Sequence, residues 1–341
     1  MRQLASIQKI AEIRQIEGAD KIVKVRVKDW WIVTQKDSFK EGDWCVFYEI
    51  DSFLPIEPLY NFLLKGSKPK KMLVDGVERE GIRLKTIKLR GQLSQGLVLP
   101  LAEVLPTVNE KYDGPIEGLE VSELLNVIKY EAPIPADLQG KVLGSFPSFI
   151  PKTDEERIQN MAEVLCGWYV TEKLDGTSVT FYKHDGHFGV CSRNQELLET
   201  PGNTQWKIAR ELGLPDKLPD NFAVQGELVG EKIQGNPLKI TGQKVYFFNA
   251  YNIATGAYLP YKDLIVFCVE RNLTTVPVLD PDFNLPKTTE ELLKCADGKS
   301  QINPEVLREG IVVRPKAELT YKGQRLSFKA ISNEYLLKND L

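Results

Sequence analysis

An α+β fold in two parts is what this sequence predicts: a small β-barrel first, then a domain in which sheets and helices mix. Three observations carry that expectation. The chain has 341 residues, which at roughly 150 residues per domain is about two domains. Its first half is a series of short β runs separated by Gly-centred turns. A proline cluster, Ala132-Pro133-Ile134-Pro135 followed by Pro147 and Pro151, then divides this half from the second.

The elements follow in order. Residues 22–27 read IVKVRV, a period-two pattern, and 31–34 (WIVT) continue after a turn. Glu41-Gly42-Asp43 turns the chain into 44–50 (WCVFYEI). Residues 82–89 (IRLKTIKL) and 96–101 (GLVLPL) bracket Arg90-Gly91. Short strands with few helices suit a small barrel of the OB type. Beyond the prolines, Thr153 with the acids after it reads as a helix start over 151–159. Strands are expected at 168–173, 178–183, 187–192, 223–229 and 245–253, with a helix at about 204–212.

Composition excludes several classes. Hydrophobic residues at 42% and charged residues at 27% are ordinary for a globular chain and exclude a disordered one. No run of about 18 apolar residues is present to span a bilayer, and no membrane partner is expected. The N-terminal residues carry charges throughout, so no secretory signal is expected. Five scattered cysteines without a CxxC pair suggest reduced thiols, no structural zinc and an intracellular protein, cytoplasmic or nuclear. His184 and His187 flank Asp185-Gly186, a hairpin turn signal, and read as surface residues without a metal role. Lys plus Arg is 44 and Asp plus Glu is 47, a net charge of −3 that by itself argues against nucleic acid. Residues 65–90, however, hold nine basic residues against three acids, so charge informs only region by region.

The sharpest local signal is Thr171-Glu172-Lys173-Leu174-Asp175-Gly176-Thr177, a β run that delivers a lysine to a turn. Alone, such a lysine reads as an exposed strand end. It is followed in order by Arg193-Asn194, then Gln225-Gly226-Glu227-Leu228-Val229-Gly230, then 247–253 (FFNAYNI). Glu309-Gly310-Ile311-Val312-Val313-Arg314 and Ser327-Phe328-Lys329 complete the series. A glutamate inside an apolar strand, as Glu227 is, requires a cation beside it.

These segments, over about residues 145–341, resemble the motifs of the nucleotidyltransferases shared by polynucleotide ligases and mRNA capping enzymes. In the first half, Gly18-Ala19-Asp20-Lys21-Ile22, the paired Trp30-Trp31 and 39–55 (FKEGDWCVFYEIDSFLP) look like an OB module. Barrel first and transferase second is similar to the ATP-dependent RNA ligases often called family five. The resemblance implies an OB-like domain at 1–131, a Pro-rich linker at 132–151 and a nucleotidyltransferase domain of antiparallel sheets and helices at 152–341.

It also implies a chemistry. Lys173 attacks the α-phosphate of ATP, expels pyrophosphate and carries AMP. AMP passes to the 5′-phosphate of a broken RNA, and a 3′-OH displaces it. A free lysine has a pKa of about 10.4, so the amine must be made neutral by its surroundings. By resemblance Asp175, Glu227 and Glu309 hold a hydrated Mg²⁺ or Mn²⁺ through its waters, in keeping with the taste of that ion for oxygen donors. Lys329 is the cation near the α-phosphate. Glu172 and Leu174 meet the adenine, with Glu172 presenting backbone groups, and Arg193 meets the ribose or the RNA terminus. Tyr251 aligns best with the aromatic that stacks on the base, with Phe248 second. Lys152 and Arg157 are proposed to grip the β and γ phosphates. The last motif departs from the family's KxK: Ser327 stands in its first position, with Lys322 or Arg325 as candidate substitutes.

In the barrel, Trp30, Trp31, Lys70, Lys71, Lys88 and Arg90 are the candidate RNA contacts, with Lys36, Lys65, Lys68 and Lys85 beside them. The expectation is thus a monomeric ATP-dependent RNA ligase. Its alternatives are a DNA ligase or mRNA guanylyltransferase of the same superfamily, or a non-catalytic OB-fold RNA-binding protein.

Overall fold

Residues 22–27 form a strand with Val23, Val25 and Val27 buried and Ile22, Lys24 and Arg26 half-buried, as period-two alternation requires. The computed structural model in which this is seen describes residues 3–65, 68–74, 77–106, 116–131, 141–153, 155–157, 167–321 and 324–339. The chain divides into two units, Met1–Ile134 with Leu337–Leu341, and Pro135–Leu336.

The first unit holds β1 (Ala5–Lys9), β2 (Glu12–Gln15), β3 (Ile22–Val27), β4 (Trp30–Gln35), β5 (Trp44–Tyr48) and β6 (Ser52–Pro55). After a 3₁₀ segment, Pro58–Lys65, come β7 (Lys70–Val74), β8 (Val77–Arg83), β9 (Thr86–Leu89), β10 (Gln92–Gln95), β11 (Leu97–Pro100), a one-turn helix α1 (Leu101–Val104) and β12 (Ile128–Lys129). The sheets run β1-β5-β11, β2-β3-β4, β12-β6-β8-β7 and β10-β9. Their inner faces close over two apolar clusters. One is built on Ile7, Val46, Tyr48, Leu54 and Ile82, the other on Val25, Trp30, Ile32 and Phe47.

Two expectations change here. Residues 82–89 are two strands, because buried Leu84 bonds through its N–H to Ser52 O (2.9 Å) and ends the β6–β8 ladder before β9 pairs with β10. Trp30, expected to contact RNA, is fully buried beside Phe47, since β4 turns it to the core. Its neighbour Trp31 faces the other way, with the Arg14 guanidinium and Lys24 ammonium 4.6 and 5.0 Å from its ring centre.

The second unit contains β13 (Val142–Ser145), β14 (Glu156–Arg157), β15 (Trp168–Lys173), β16 (Thr177–His184), β17 (His187–Cys191), β18 (Gln195–Leu197), β19 (Phe222–Gly230), β20 (Gln243–Asn252), β21 (Ala257–Tyr258), β22 (Val278–Phe283), β23 (Gly310–Pro315), β24 (Thr320–Tyr321), β25 (Gln324–Arg325) and β26 (Phe328–Ile331). The helices are α2 (Thr204–Glu211), α3 (Leu214–Lys217), α4 (Tyr261–Glu270), α5 (Thr289–Ala296) and α6 (Asn333–Asn339), the last belonging to this unit only as far as Leu336. Asn203 caps α2 and Thr288 caps α5, each side chain accepting from a backbone N–H three residues on. Two sheets form the frame, seven strands in the order β13-β18-β17-β16-β19-β20-β21 and five in the order β14-β26-β23-β15-β22. Every pairing between them is antiparallel except β14 with β26.

Strand β13 lies within the expected linker and pairs with β18, so only part of that stretch stays irregular; residues 132–140 lie outside the described residues. The helix expected at 151–159 is replaced, where the chain is described, by β14. Thr153 hydrogen-bonds Ser178 Oγ (2.7 Å) instead of capping, and Glu155 is drawn into an ion pair with buried Arg314. Tertiary pairing here overrides the local helix signal.

Candidate active site

Lys173 is the last residue of β15, and β16 begins only at Thr177 in the other sheet. The three residues between carry the chain from the five-stranded to the seven-stranded sheet, so the lysine stands where the sheets part. Gly176 permits that crossing. A Cβ there would lie 2.3 Å from Leu228 O and 2.7 Å from Val229 Cγ1. Gly310 does the same on β23, where a Cβ would come within 2.2 Å of Ala330 O.

Register brings the charged groups together. Lys173 pairs with Gly310 across β15 and β23, which places Glu309 beside it, and Nζ donates to Glu309 Oε2 at 2.6 Å. Glu227 projects from β19, in register with Ser178 on one side and Tyr246 on the other. Lys329 sits opposite Val312 on β26. Tyr335, at the start of α6, donates its hydroxyl to Asp175 Oδ2.

The electrostatics follow. Burial pushes the Glu227 carboxyl up to about 8, Glu309 and Asp175 add to the rise, and Lys173 and Arg193 oppose it. Glu309 is also raised by burial and by Asp175, against Lys173 and Lys329. Burial alone would lower the Lys173 ammonium, but Glu309, Glu227 and Asp175 outweigh it and hold the pKa above its usual value. Three carboxyls, Asp175, Glu227 and Glu309, thus crowd one another around Lys173. An all-oxygen donor set of this kind fits a hard divalent cation. Among the described residues no three His, Cys, Asp or Glu converge to ligate one ion directly.

An apolar cluster adjoins these charged groups. Leu174 packs with Val229, Leu238, Val276, Tyr246 and Phe248. Glu172 is buried beside it. Its N–H is taken by Pro277 O (2.9 Å), and its carboxylate accepts from Gln301 N (2.8 Å) and Ser300, leaving Oε1 without a partner. The backbone N–H of Glu172 is thus taken, and one carboxylate oxygen is buried without a hydrogen-bond partner.

The structure separates the two aromatic candidates. Phe248 belongs to the Leu174 cluster, whereas Tyr251 packs with Ile150, Tyr182, Cys191 and Ala223 and meets Tyr258 edge-on at 5.0 Å. Tyr251 is thus packed in a separate cluster farther along β20. Tyr246, unnoticed in the sequence, shares the face of Phe248; its spacing of two residues was the available signal.

Ser327 accepts from Arg314 Nε (2.9 Å), and Arg314 Nη2 reaches Glu155 Oε1 (2.5 Å). Arg325, a candidate for the second lysine of the last motif, is already engaged: its Nε and Nη2 donate to Glu318 (2.7 and 2.6 Å), and Nη1 donates to Asn249 Oδ1. Lys322 lies outside the described residues. Lys152 is exposed, and Arg157 is placed by its backbone opposite Lys329 on β26, its side chain lying outside the described residues.

In the N-terminal unit Lys36, Lys65, Lys68, Lys70, Lys85, Lys88 and Arg90 are exposed. Lys71, also exposed, pairs with Glu78 at 2.7 Å. No described helix is long and apolar enough to cross a membrane.

Comparison with known proteins supplies the context. An OB-fold domain family matches residues 4–101, and the RNA ligase family matches residues 167–331. Three solved structures of a Naegleria gruberi RNA ligase are similar over nearly the whole chain. A variant with AMP and manganese is 40% identical, with 99% of each chain covered and a TM-score of 0.84. The protein with pyrophosphate is 40% identical, covering 100% of this chain and 99% of that one, at 0.83. A variant with ATP and manganese is 40% identical, with 99% of each chain covered, at 0.83. No curated protein matches by sequence.

Proposed function

From the premise that this chain belongs to the RNA ligase family and is an ATP-dependent RNA ligase, we propose that it seals RNA breaks bearing a 3′-OH and a 5′-phosphate, with Lys173 as the nucleophile. The observation that carries this reading is the ammonium of Lys173, held at 2.6 Å by Glu309 at the junction of the two sheets.

In the first step Nζ gives up a proton, and Glu309 stands at hydrogen-bond distance to receive it. The free pair on nitrogen then forms the bond to the α-phosphorus of ATP, and the bond to the pyrophosphate oxygen breaks. Lys329, close enough to act on Glu309, is suited to steady charge on the α-phosphate. Phe248, Tyr246, Leu174 and Glu172 Oε1 form the base slot, Arg193 faces the sugar or RNA end, and exposed Lys152, with Arg157, meets the outer phosphates. Asp175, Glu227 and Glu309 would hold a hydrated Mg²⁺ or Mn²⁺, which when bound offsets developing negative charge. AMP then passes to the 5′-phosphate, and the 3′-OH displaces it as the phosphodiester forms. Trp31 and the exposed lysines of the N-terminal unit are the proposed RNA contacts. A monomeric, intracellular protein completes this proposal, the compartment on the five scattered cysteines without a CxxC pair.

The test is incubation with α-labelled ATP and a divalent metal. The protein is expected to become labelled, and Lys173→Ala to remain unlabelled. Labelling of that variant would remove Lys173 from its role. Labelling by GTP instead would point to a guanylyltransferase, and equal sealing of all-DNA nicks to a DNA ligase.

A further inference from the structure

Tyr335 is a buried residue that no motif picks out, 160 positions from Asp175 in the chain, and its hydroxyl is spent on the Asp175 carboxylate. From this geometry we infer that Tyr335 is a positioning residue for adenylylation: by bonding Asp175 Oδ2 it fixes the rotation of that carboxylate toward the cluster around Lys173. The inference rests on the proposed role of Lys173.

Three features make the contact a built one. Tyr335 is anchored from both ends. Its N–H donates to Ser332 Oγ (3.1 Å), and Ser332 in turn donates to Asp297 Oδ1 (2.7 Å) and bonds through its own N–H to Glu309 O (2.9 Å). The start of α6 is thus tied to the strand that carries Glu309. Second, Asp175 lies in the three-residue crossing from β15 to β16, where neighbouring Gly176 is packed too closely against Leu228 O and Val229 Cγ1 to admit a side chain, which narrows the backbone paths and leaves the carboxylate rotation as a freedom. Third, Asp175 bears electrostatically on Lys173, Glu227 and Glu309 together, so a rotated carboxylate would alter all three. A hydrogen bond to one of its oxygens leaves Oδ1 as the acceptor for the site. Misplacement of a reacting group by about 1 Å costs on the order of a hundredfold in rate, so orientation here has leverage.

The experiment is single-turnover labelling with α-labelled ATP. Tyr335→Phe, which removes only the hydroxyl, is expected to slow labelling at saturating ATP about tenfold while the ATP concentration for half-maximal rate changes less than about threefold. Thr288→Ala, which removes the N-terminal cap of α5 without touching Tyr335 or Asp175, supplies a loss of stability and is expected to label at the native rate. Melting temperatures of Tyr335→Phe, Asp175→Asn and the double variant give a second reading that needs no activity, and their effects are expected to be non-additive. A Tyr335→Phe rate within twofold of native overturns the inference. So does an equal slowing in Thr288→Ala, which would make the rate follow stability, and so does an additive melting cycle. Retained labelling of Lys173→Ala would instead sink the proposed nucleophile, a result distinct from each of these.

Discussion

Lys173 and Glu309, 136 residues apart in sequence, form a 2.6 Å ion pair across adjacent antiparallel strands. Glu309→Gln keeps the shape and removes the charge and the proton acceptor. Lysyl-AMP labelling is expected to fall by a factor of about a hundred or more, the scale of a lost acid–base group. Circular dichroism should show the native fold. Labelling within a few-fold of native would mean that Glu309 neither receives the proton nor orients the amine.

Phe248 and Tyr251 lie three residues apart on β20 yet serve different clusters. Phe248→Ala is expected to raise the ATP concentration needed for labelling, by the about 1–3 kcal/mol that base stacking on an aromatic contributes. Tyr251→Phe should label normally. Titration calorimetry with ATP distinguishes the two, and the reverse pattern would restore Tyr251 to the base slot.

Glu155 and Arg314 form a buried ion pair. Burial alone would push the Glu155 carboxyl up, but Arg314, Arg325 and the Ser327 hydroxyl outweigh it and hold it below its usual value. A carboxyl whose folded pKa is depressed adds stability that is present above its unfolded value and is lost as pH falls through the folded one. Glu155→Gln should cost about 3–5 kcal/mol at neutral pH, as an uncompensated buried guanidinium remains. Its melting temperature should also fall less steeply than that of the native protein as pH drops below about 4. Parallel melting curves would show that the pair does not govern acid sensitivity.

Trp30 and Trp31 are consecutive and point to opposite faces of β4. Trp30→Ala should destabilise the chain by about 3–5 kcal/mol, typical of a large core aromatic. It should leave the RNA affinity of the folded fraction unchanged. Trp31→Ala should leave melting nearly unchanged and weaken binding in filter-retention or anisotropy assays. Equal affinities for Trp31→Ala and native protein would remove Trp31 from the RNA surface.

The amino-acid sequence carried the resemblance to the RNA ligases and much of the strand list. Lys173, Asp175, Glu227, Glu309 and Lys329 are singled out by the order in which their segments resemble the ligase motifs, since any one of those segments alone reads as an ordinary strand end. Strands such as Ile22–Val27 and Trp168–Lys173 were legible because alternation and apolar runs are local too. Folding set which cluster each aromatic joins: Trp30 and Trp31 take opposite faces of β4, and Phe248 and Tyr251 pack in separate clusters along β20. It also turned the expected helix after Pro151 into β14, because a parallel pairing with β26 and the Glu155–Arg314 pair outweigh a local capping signal. Tyr335 on Asp175 and the engagement of Arg325 by Glu318 were likewise beyond the sequence. Such partners are set by where the chain returns in space, and side-chain spacing along the chain carries no record of that return.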